Sequence, residues 1–318
     1  MARGKRSSVT VLGAGVVGLT TDHLFFPSLA QGYNVTIISR AFPTNPDADP
    51  TYTSPTAGAH WRSFAEKDDY RLQEWDEVTF KALIQLCTVP GTGLMITPGY
   101  EFWAQEPESW EDPFFARFMP KYKRLEKDAL PATCEFGISY ETGFGARTLA
   151  GVADTHVYPT RGQTVHVRAP HVRHTVTKLG SVHEDFTYII PRDDGIVVLG
   201  GTYQANNDSL TPDPTTAASI VERCLAICPE LVPNGKQLDV VNQKVGLRPT
   251  RVGGVRCDAE WKHHRGRRVL LVHNYGHGGY GYQSSYGCAA TVLRIMEAEL
   301  GHLRESPRER TEAQSARL

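Results

Sequence analysis

Long apolar runs are missing from this chain of 318 residues. None approaches the stretch of about 18 residues that marks a membrane-spanning helix. The basic start, MARGKRSS, leads into VTVLGAGVVGL, which is too short and too broken by glycine for a signal-peptide core. A surplus of one charge is missing too: 34 Lys and Arg face 35 Asp and Glu, for a net charge of −1. No global field then recruits nucleic acid or an anionic membrane, and a soluble protein is expected. The six cysteines form no CxxC pair, and the twelve histidines form no HExxH. That spacing argues against a disulfide framework and against zinc chemistry, so no metal is expected. Cys224 and Cys228 fit one face of the helix expected in TAASIVERCLAICPEL, as small hydrophobes. What remains is an ordinary globular composition, 40% apolar and 22% charged, long enough for one or two domains.

The segment SVTVLGAGVVGL reads as a buried β-branched strand, a tight turn and a helix start. Gly13, Gly15 and Gly18 make G-x-G-x-x-G: a turn, a close backbone approach to a pyrophosphate, and helix–strand packing. The free N–H groups of the helix N-terminus suit such a phosphate. The alternative is a glycine turn without a ligand. A second strand follows in YNVTIISR, ending on Ser39 and Arg40 where a nicotinamide enzyme would carry an acidic residue. That pair would fit a 2′-phosphate and an NADP-dependent reductase. Pro27, inside the crossover helix, should kink or end it early.

A loop rich in Pro, Thr and Asp, longer than a connector needs, ends on the small residues Ala57-Gly58-Ala59. DDYRLQEWDEVTFKALIQL reads as a helix, and VYPTRGQTVHVRA alternates like a half-buried strand. DFTYIIPRDDGIVVLGGTY is a hairpin turning at Asp193-Asp194-Gly195, with Tyr188 and Tyr203 placed to share one cavity or to serve the sheet. RVLLVHNYGHGGYGYQSSYGCAATVLRIMEAEL repeats strand, glycine turn and helix, as a long two-ended dinucleotide would need. In KVGLRPTRVGG, Arg248 sits between apolar residues and a proline. Its guanidinium stays charged and calls for an anion: a structural carboxylate, a phosphate or a substrate.

VLGAGVVGLTT, TSPTAGAHW, GVADTHVYPTRGQTVHVRAP, YIIPRDDGIVVLGGTY, VGLRPTRVGGVR and HNYGHGGYGYQSSYGCA together resemble the FAD-dependent D-amino-acid oxidase family, which also contains D-aspartate oxidase. The resemblance implies an α/β fold: a Rossmann-like FAD-binding domain plus an α+β substrate domain with a mainly antiparallel sheet. It implies FAD as cofactor, with Ala14, Gly15, Val16 and Val17 at the pyrophosphate and Ser39 and Arg40 by the adenosine end. Ser54, Ala57, Gly58 and Ala59 would line the flavin, and Gly278, Gly279, Tyr280, Gly281, Tyr282 and Gln283 its pyrimidine end. Arg248 would clamp the substrate carboxylate, with Tyr203 and Tyr188 as hydroxyl partners and Gly279 by the amine. The implied reaction is oxidative deamination of a D-amino acid by dioxygen, giving a 2-oxo acid, ammonia and hydrogen peroxide. D-aspartate oxidation is the alternative within the family, and a homodimer is compatible with it.

The resemblance divides the chain into an FAD-binding domain (1–75, 142–165 and 245–302) and a substrate domain (76–141 and 166–244). A disordered tail is expected from 303 to 318, ending on Ala316-Arg317-Leu318, which fits the S-K-L pattern read by a peroxisomal import receptor. One seam breaks the resemblance. In CEFGISYETGFGARTLAGVAD a strand–helix piece of roughly 30 residues or more is missing between Glu141 and Thr142. The third reading is therefore a truncated, catalytically impaired member of the family.

Overall fold

A computed structural model describes residues 7–28, 33–45, 51–52, 57–105, 110–132, 134, 136–142, 154, 156–179, 186–233 and 236–315. The first unit is a parallel pair, β1 (Ser7–Leu12) and β2 (Tyr33–Ile38), crossed over by α1 (Val16–Ser28). Between β1 and α1 the chain reverses at Gly13, whose φ of 99° suits glycine. A Cβ on Gly18 would stand 2.1 Å from the Gly13 carbonyl oxygen, so the third glycine is required for the helix to sit on the turn. α1 carries Pro27 in its last described turn, and the residues that follow Ser28 lie outside the described ones.

α2 (Tyr70–Leu86) follows, started by Asp69, whose carboxylate accepts the Leu72 N–H at 2.9 Å. Then come β3 (Thr97–Trp103), β4 (Lys123–Arg124), β5 (Phe136–Thr142), β6 (Val157–Arg168), β7 (Thr175–Leu179), β8 (Thr187–Pro191), β9 (Ile196–Gly200) and β10 (Gln204–Ala205). α3 (Pro214–Ile227) and β11 (Val240–Arg251) complete this part. These strands form one nine-stranded sheet in the order β10-β6-β9-β8-β7-β3-β5-β4, with β11 also paired to β6. All its pairs are antiparallel except β3 with β7, as expected of the substrate domain. The hairpin β8–β9 turns at Gly195, as its sequence predicts.

Side chains alternate across this sheet with period two. Val165, Val167, Ile189, Val197 and Leu199 face α3, where Ile220, Cys224 and Ile227 complete a core. Tyr188, Ile190 and Val198 face the other way and pack with Ala59 and Phe186. Because both faces are covered, β6 is buried from Thr160 to Val167, not half-buried as its sequence pattern led us to expect. β6 and β11 run unbroken through the boundaries expected at 165 and 245, so one sheet spans both units. β5 likewise continues across the Glu141/Thr142 seam, pairing Thr142 with Thr97.

The chain closes with a hairpin of β12 (Arg256–His264) and β13 (Arg267–Tyr275), then α4 (Ser285–Ser315). α4 lies against α1 and α2, with Met296, Phe25 and Tyr33 at its centre. The tail expected to be disordered from residue 303 is instead helical as far as Ser315: α4 continues through it, in a sequence whose Glu and Arg residues favour helix. β1 and β13, read from sequence as buried strands, are half-exposed, with Leu12, Val269 and Leu271 open to solvent. Among the described residues, helices cover the β1–β2 pair on one face alone. No helix among them is long and apolar enough to cross a membrane.

Candidate active site

A cavity of about 930 Å³ opens between the large sheet and the segment entering α2. Arg248, on β11, reaches into it across β6. Its guanidinium lies on the β6 backbone at Gly162: a Cβ there would stand 2.5 Å from Nη1 and 2.6 Å from Cζ and Nη2. Nη1 donates to the Thr202 carbonyl at 2.9 Å, and Thr202 is itself held by the Gln163 N–H on its Oγ1 at 2.8 Å. The Tyr203 ring lies 6.0 Å from Cζ. Three cations line the cavity. Arg62 forms a two-pronged pair with the buried Glu101, at 3.0 and 3.1 Å, and Lys67 pairs with Glu111 at 2.6 Å. Among the described residues, Arg248 has no carboxylate partner.

Tyr188 and Tyr203 both reach this cavity, one of the two placements that their hairpin left open. Gly200 and Gly201 make room for the Tyr188 ring, since a Cβ on Gly200 would fall 2.1 Å from its Cζ. Burial raises the Tyr188 phenol above its ordinary value, with the Arg248 charge opposing that rise. Phe64 and Phe186 add an aromatic wall, ring centres 5.9 Å apart, and Phe64 meets Tyr280 at 5.6 Å. Ala57, Gly58 and Ala59 also line the cavity, with Gly58 and Ala59 beside Tyr188. A Cβ on Gly58 would approach Ile190 Cδ1 to 2.8 Å, so the tip of that side chain would have to shift.

A narrower slot of about 70 Å³ continues from the cavity between the two glycine turns. It is lined by Val16 and Val17 at the start of α1 and by Gly278, Gly279, Gly281 and Tyr282 ahead of α4. The later turn is tied to β11 beside Arg248 by the Gly278 N–H on the Pro249 carbonyl at 2.9 Å. Two buried polar atoms lining this slot, Asn274 Oδ1 and His277 Nε2, have no protein partner among the described residues. Burial holds the His277 ring down to about 4, hence neutral. Small residues, two helix starts and buried polar atoms in need of a ligand fit a dinucleotide.

Of the expected site residues, Ala57, Gly58, Ala59, Tyr188, Tyr203, Arg248, Gly279, Tyr280, Tyr282 and Gln283 share the cavity, and Val16, Val17, Gly278 and Gly281 join them through the slot. Ala14, Gly15, Ser39 and Arg40 line neither space. Ala14 is fully buried, its carbonyl accepting from Tyr52 at 2.7 Å, and Ser39 turns its hydroxyl to the Ala41 carbonyl at 2.7 Å. Ser54 and the Ala316–Leu318 tripeptide lie outside the described residues. Sequence reasoning missed Gly162, Arg62, Phe64, Phe186 and His277. The phrase RGQ, whose glycine lies two residue pairs from Arg248 in the β6–β11 register, was the available sign of Gly162.

A family model described as FAD dependent oxidoreductase (DAO) matches residues 142–294, a match that begins at the seam. A D-amino-acid oxidase of Schizosaccharomyces pombe is 31% identical, with 92% of this chain and 96% of the relative covered. A D-aspartate oxidase of Cryptococcus neoformans var. grubii is 28% identical, covering 91% and 96%. Among solved structures, a glycine oxidase from Bacillus cereus has the same fold at a TM-score of 0.66 and 15% identity, over 93% of this chain and 96% of that one. An L-proline dehydrogenase from P. horikoshii matches at 0.66 and 12%, over 93% and 95%. Fold and cradle therefore define an FAD-dependent oxidoreductase. Within that class, the chain belongs to the D-amino-acid oxidase family. The alignment to the S. pombe relative spans 345 positions, more than the 318 residues present here, so it must open gaps in this chain.

Proposed function

We propose that this chain binds FAD and oxidises D-amino acids with neutral side chains. The observation that carries the reading is Arg248: of three cations lining the cavity, it is the one without a carboxylate among the described residues. A guanidinium fixed on Gly162 and Thr202 offers its remaining N–H groups to a carboxylate in a short, charge-assisted pair. Tyr188 and Tyr203 add hydroxyl groups on the same wall. FAD, when bound, supplies hydride acceptance from the substrate Cα and passage of the electrons to dioxygen, which yields hydrogen peroxide. The protein's own part is orientation. Arg248 fixes one end of the amino acid, the Phe64–Phe186 wall excludes water, and Val16, Val17 and Gly278 to Gln283 would hold the cofactor. The oxidised product is an imine, which water hydrolyses to a 2-oxo acid and ammonia.

Support for a neutral side chain comes from Arg62, which is committed to Glu101, and from the aromatic wall around it. A second carboxylate, as in D-aspartate, finds no uncommitted cation among the described residues. Purified protein should be yellow and release peroxide from D-alanine faster than from D-aspartate, with none from L-alanine. Arg248→Ala should raise KM by roughly 100-fold, since each hydrogen bond to a charged group contributes about 1.5–3 kcal/mol, while flavin stays bound. Loss of flavin with substrate affinity kept would overturn the assignment. The same reading takes Ala316-Arg317-Leu318 as a peroxisomal address recognised by an import receptor, supported by the peroxide that such chemistry releases. A fluorescent fusion that stays diffuse with the tripeptide intact would refute it.

A further inference from the structure

Asp76, on α2, lies just behind the cavity wall and is fully buried. Its Oδ2 accepts two hydrogen bonds, from Ser63 Oγ at 2.5 Å and from Gln283 Nε2 at 3.0 Å. Its Oδ1 is buried with no partner among the described residues. Trp61 Nε1 bridges the same two segments, donating to the backbone carbonyls of Asp76 and Gln283 at 3.2 and 3.1 Å. Ser63 and Gln283 line the cavity. One carboxyl outside the site is thus the common anchor of two polar side chains inside it.

The protonation of that anchor follows from its surroundings. A buried carboxylate with one bare oxygen is costly. Burial pushes Asp76 up to about 8, against the pull of its Ser63 and Gln283 hydrogen bonds. Asp69, at the start of α2, reinforces the rise, and Arg62, from the segment before α2, opposes it. The Tyr280 hydroxyl, from the turn before α4, also lies within its field. At neutral pH the group is therefore an acid. Its proton resides on Oδ1, because Oδ2 already receives two donors.

We propose that Asp76 is a positioning residue that aims the Gln283 amide at the bound flavin and couples flavin reduction to uptake of one proton. The inference rests on the flavin reading of the cavity. Negative charge gained beyond Gln283 favours the neutral carboxyl. Where Asp76 has ionised, reduction draws one proton from solvent back to Oδ1, and no other bond forms or breaks.

Two measurements test this. In flavin-loaded protein, the midpoint potential should fall more steeply with pH above about 8, by about 30 mV per pH unit, the equivalent of one extra proton per two electrons. Asp76→Asn should keep the hydrogen bond to Ser63 and lose this extra slope. Parallel slopes in the two proteins would overturn the proposal. The second measurement uses the flavin-free wild-type chain, whose infrared spectrum should show a buried carboxylic-acid carbonyl band at neutral pH that fades above about 8. A spectrum with carboxylate bands alone at neutral pH would equally overturn it. Because this readout needs neither flavin nor a variant, it separates failure of the Asp76 assignment from failure of the flavin reading.

Discussion

A guanidinium resting on a glycine is the smallest unit on which the proposed activity depends. Arg248 announced itself in the sequence because an always-charged group among apolar neighbours demands a partner. Gly162 did not, since its role exists only once β6 and β11 are paired, the register placing Gly162 beside Gly246, 84 positions further along the chain. A methyl group there would meet the guanidinium at 2.5 Å and drive it off the strand. Gly162→Ala should therefore raise KM about 10- to 100-fold, the usual penalty for displacing an orienting group, with flavin affinity unchanged. Steady-state kinetics with D-alanine beside a flavin titration checks both halves, and an unaltered KM would show that the guanidinium has room to move. The paired state of Arg62 was hidden for the same reason, because Glu101 lies on β3 and nothing local ties the two together.

At the scale of elements, the glycine-rich turns were legible because each satisfies a local steric demand, as Gly18 against the Gly13 carbonyl shows. Layering was less legible. A strand covered on one side and a strand covered on both carry similar β-branched sequence, so β6 proved more buried and β1 and β13 more exposed than their patterns implied. The α2–α4 crossing was invisible from sequence, yet it positions both Asp76 and the turn before α4. The helices touch at Gly287, where a Cβ would fall 2.2 Å from Trp75 Cα and 2.3 Å from its carbonyl oxygen. Backbone cannot yield as a side-chain tip can. Gly287→Ala should destabilise the fold by about 2–3 kcal/mol, at the upper end of overpacking costs, measured as a lower urea midpoint at unchanged slope. It should also weaken flavin binding, because separating the helices pulls Gln283 away from Asp76.

For the whole molecule, buried titratable groups set a stability profile that depends on pH in opposite senses. Burial lowers His60, His166 and His277 to about 4, so each is neutral when folded and gains a proton on unfolding below its ordinary value of 6.5. The unfolded chain then binds more protons, and stability falls as pH drops from 6.5 toward 4, by up to about 1.4 kcal/mol per pH unit for each net proton. Asp76 works against them. Its folded value is raised from 3.8 to about 8, so its contribution is full below 3.8 and is lost as pH rises through 8. Between 4 and 6.5 three histidines outweigh one carboxyl, and stability climbs with pH. Above 6.5 these three histidines are silent and, among the described residues, Asp76 carries the shift that acts, so stability declines toward pH 8. Thermal unfolding should thus be hardest near pH 6.5. In Asp76→Asn the acid side should remain as steep or steeper while the decline between 6.5 and 8 disappears. A wild-type melting temperature that keeps rising through pH 8 would mean that Asp76 folds as a carboxylate. The carboxyl behind Gln283 would then lack the proton that its burial, its bare Oδ1 and its proposed link to the flavin all require.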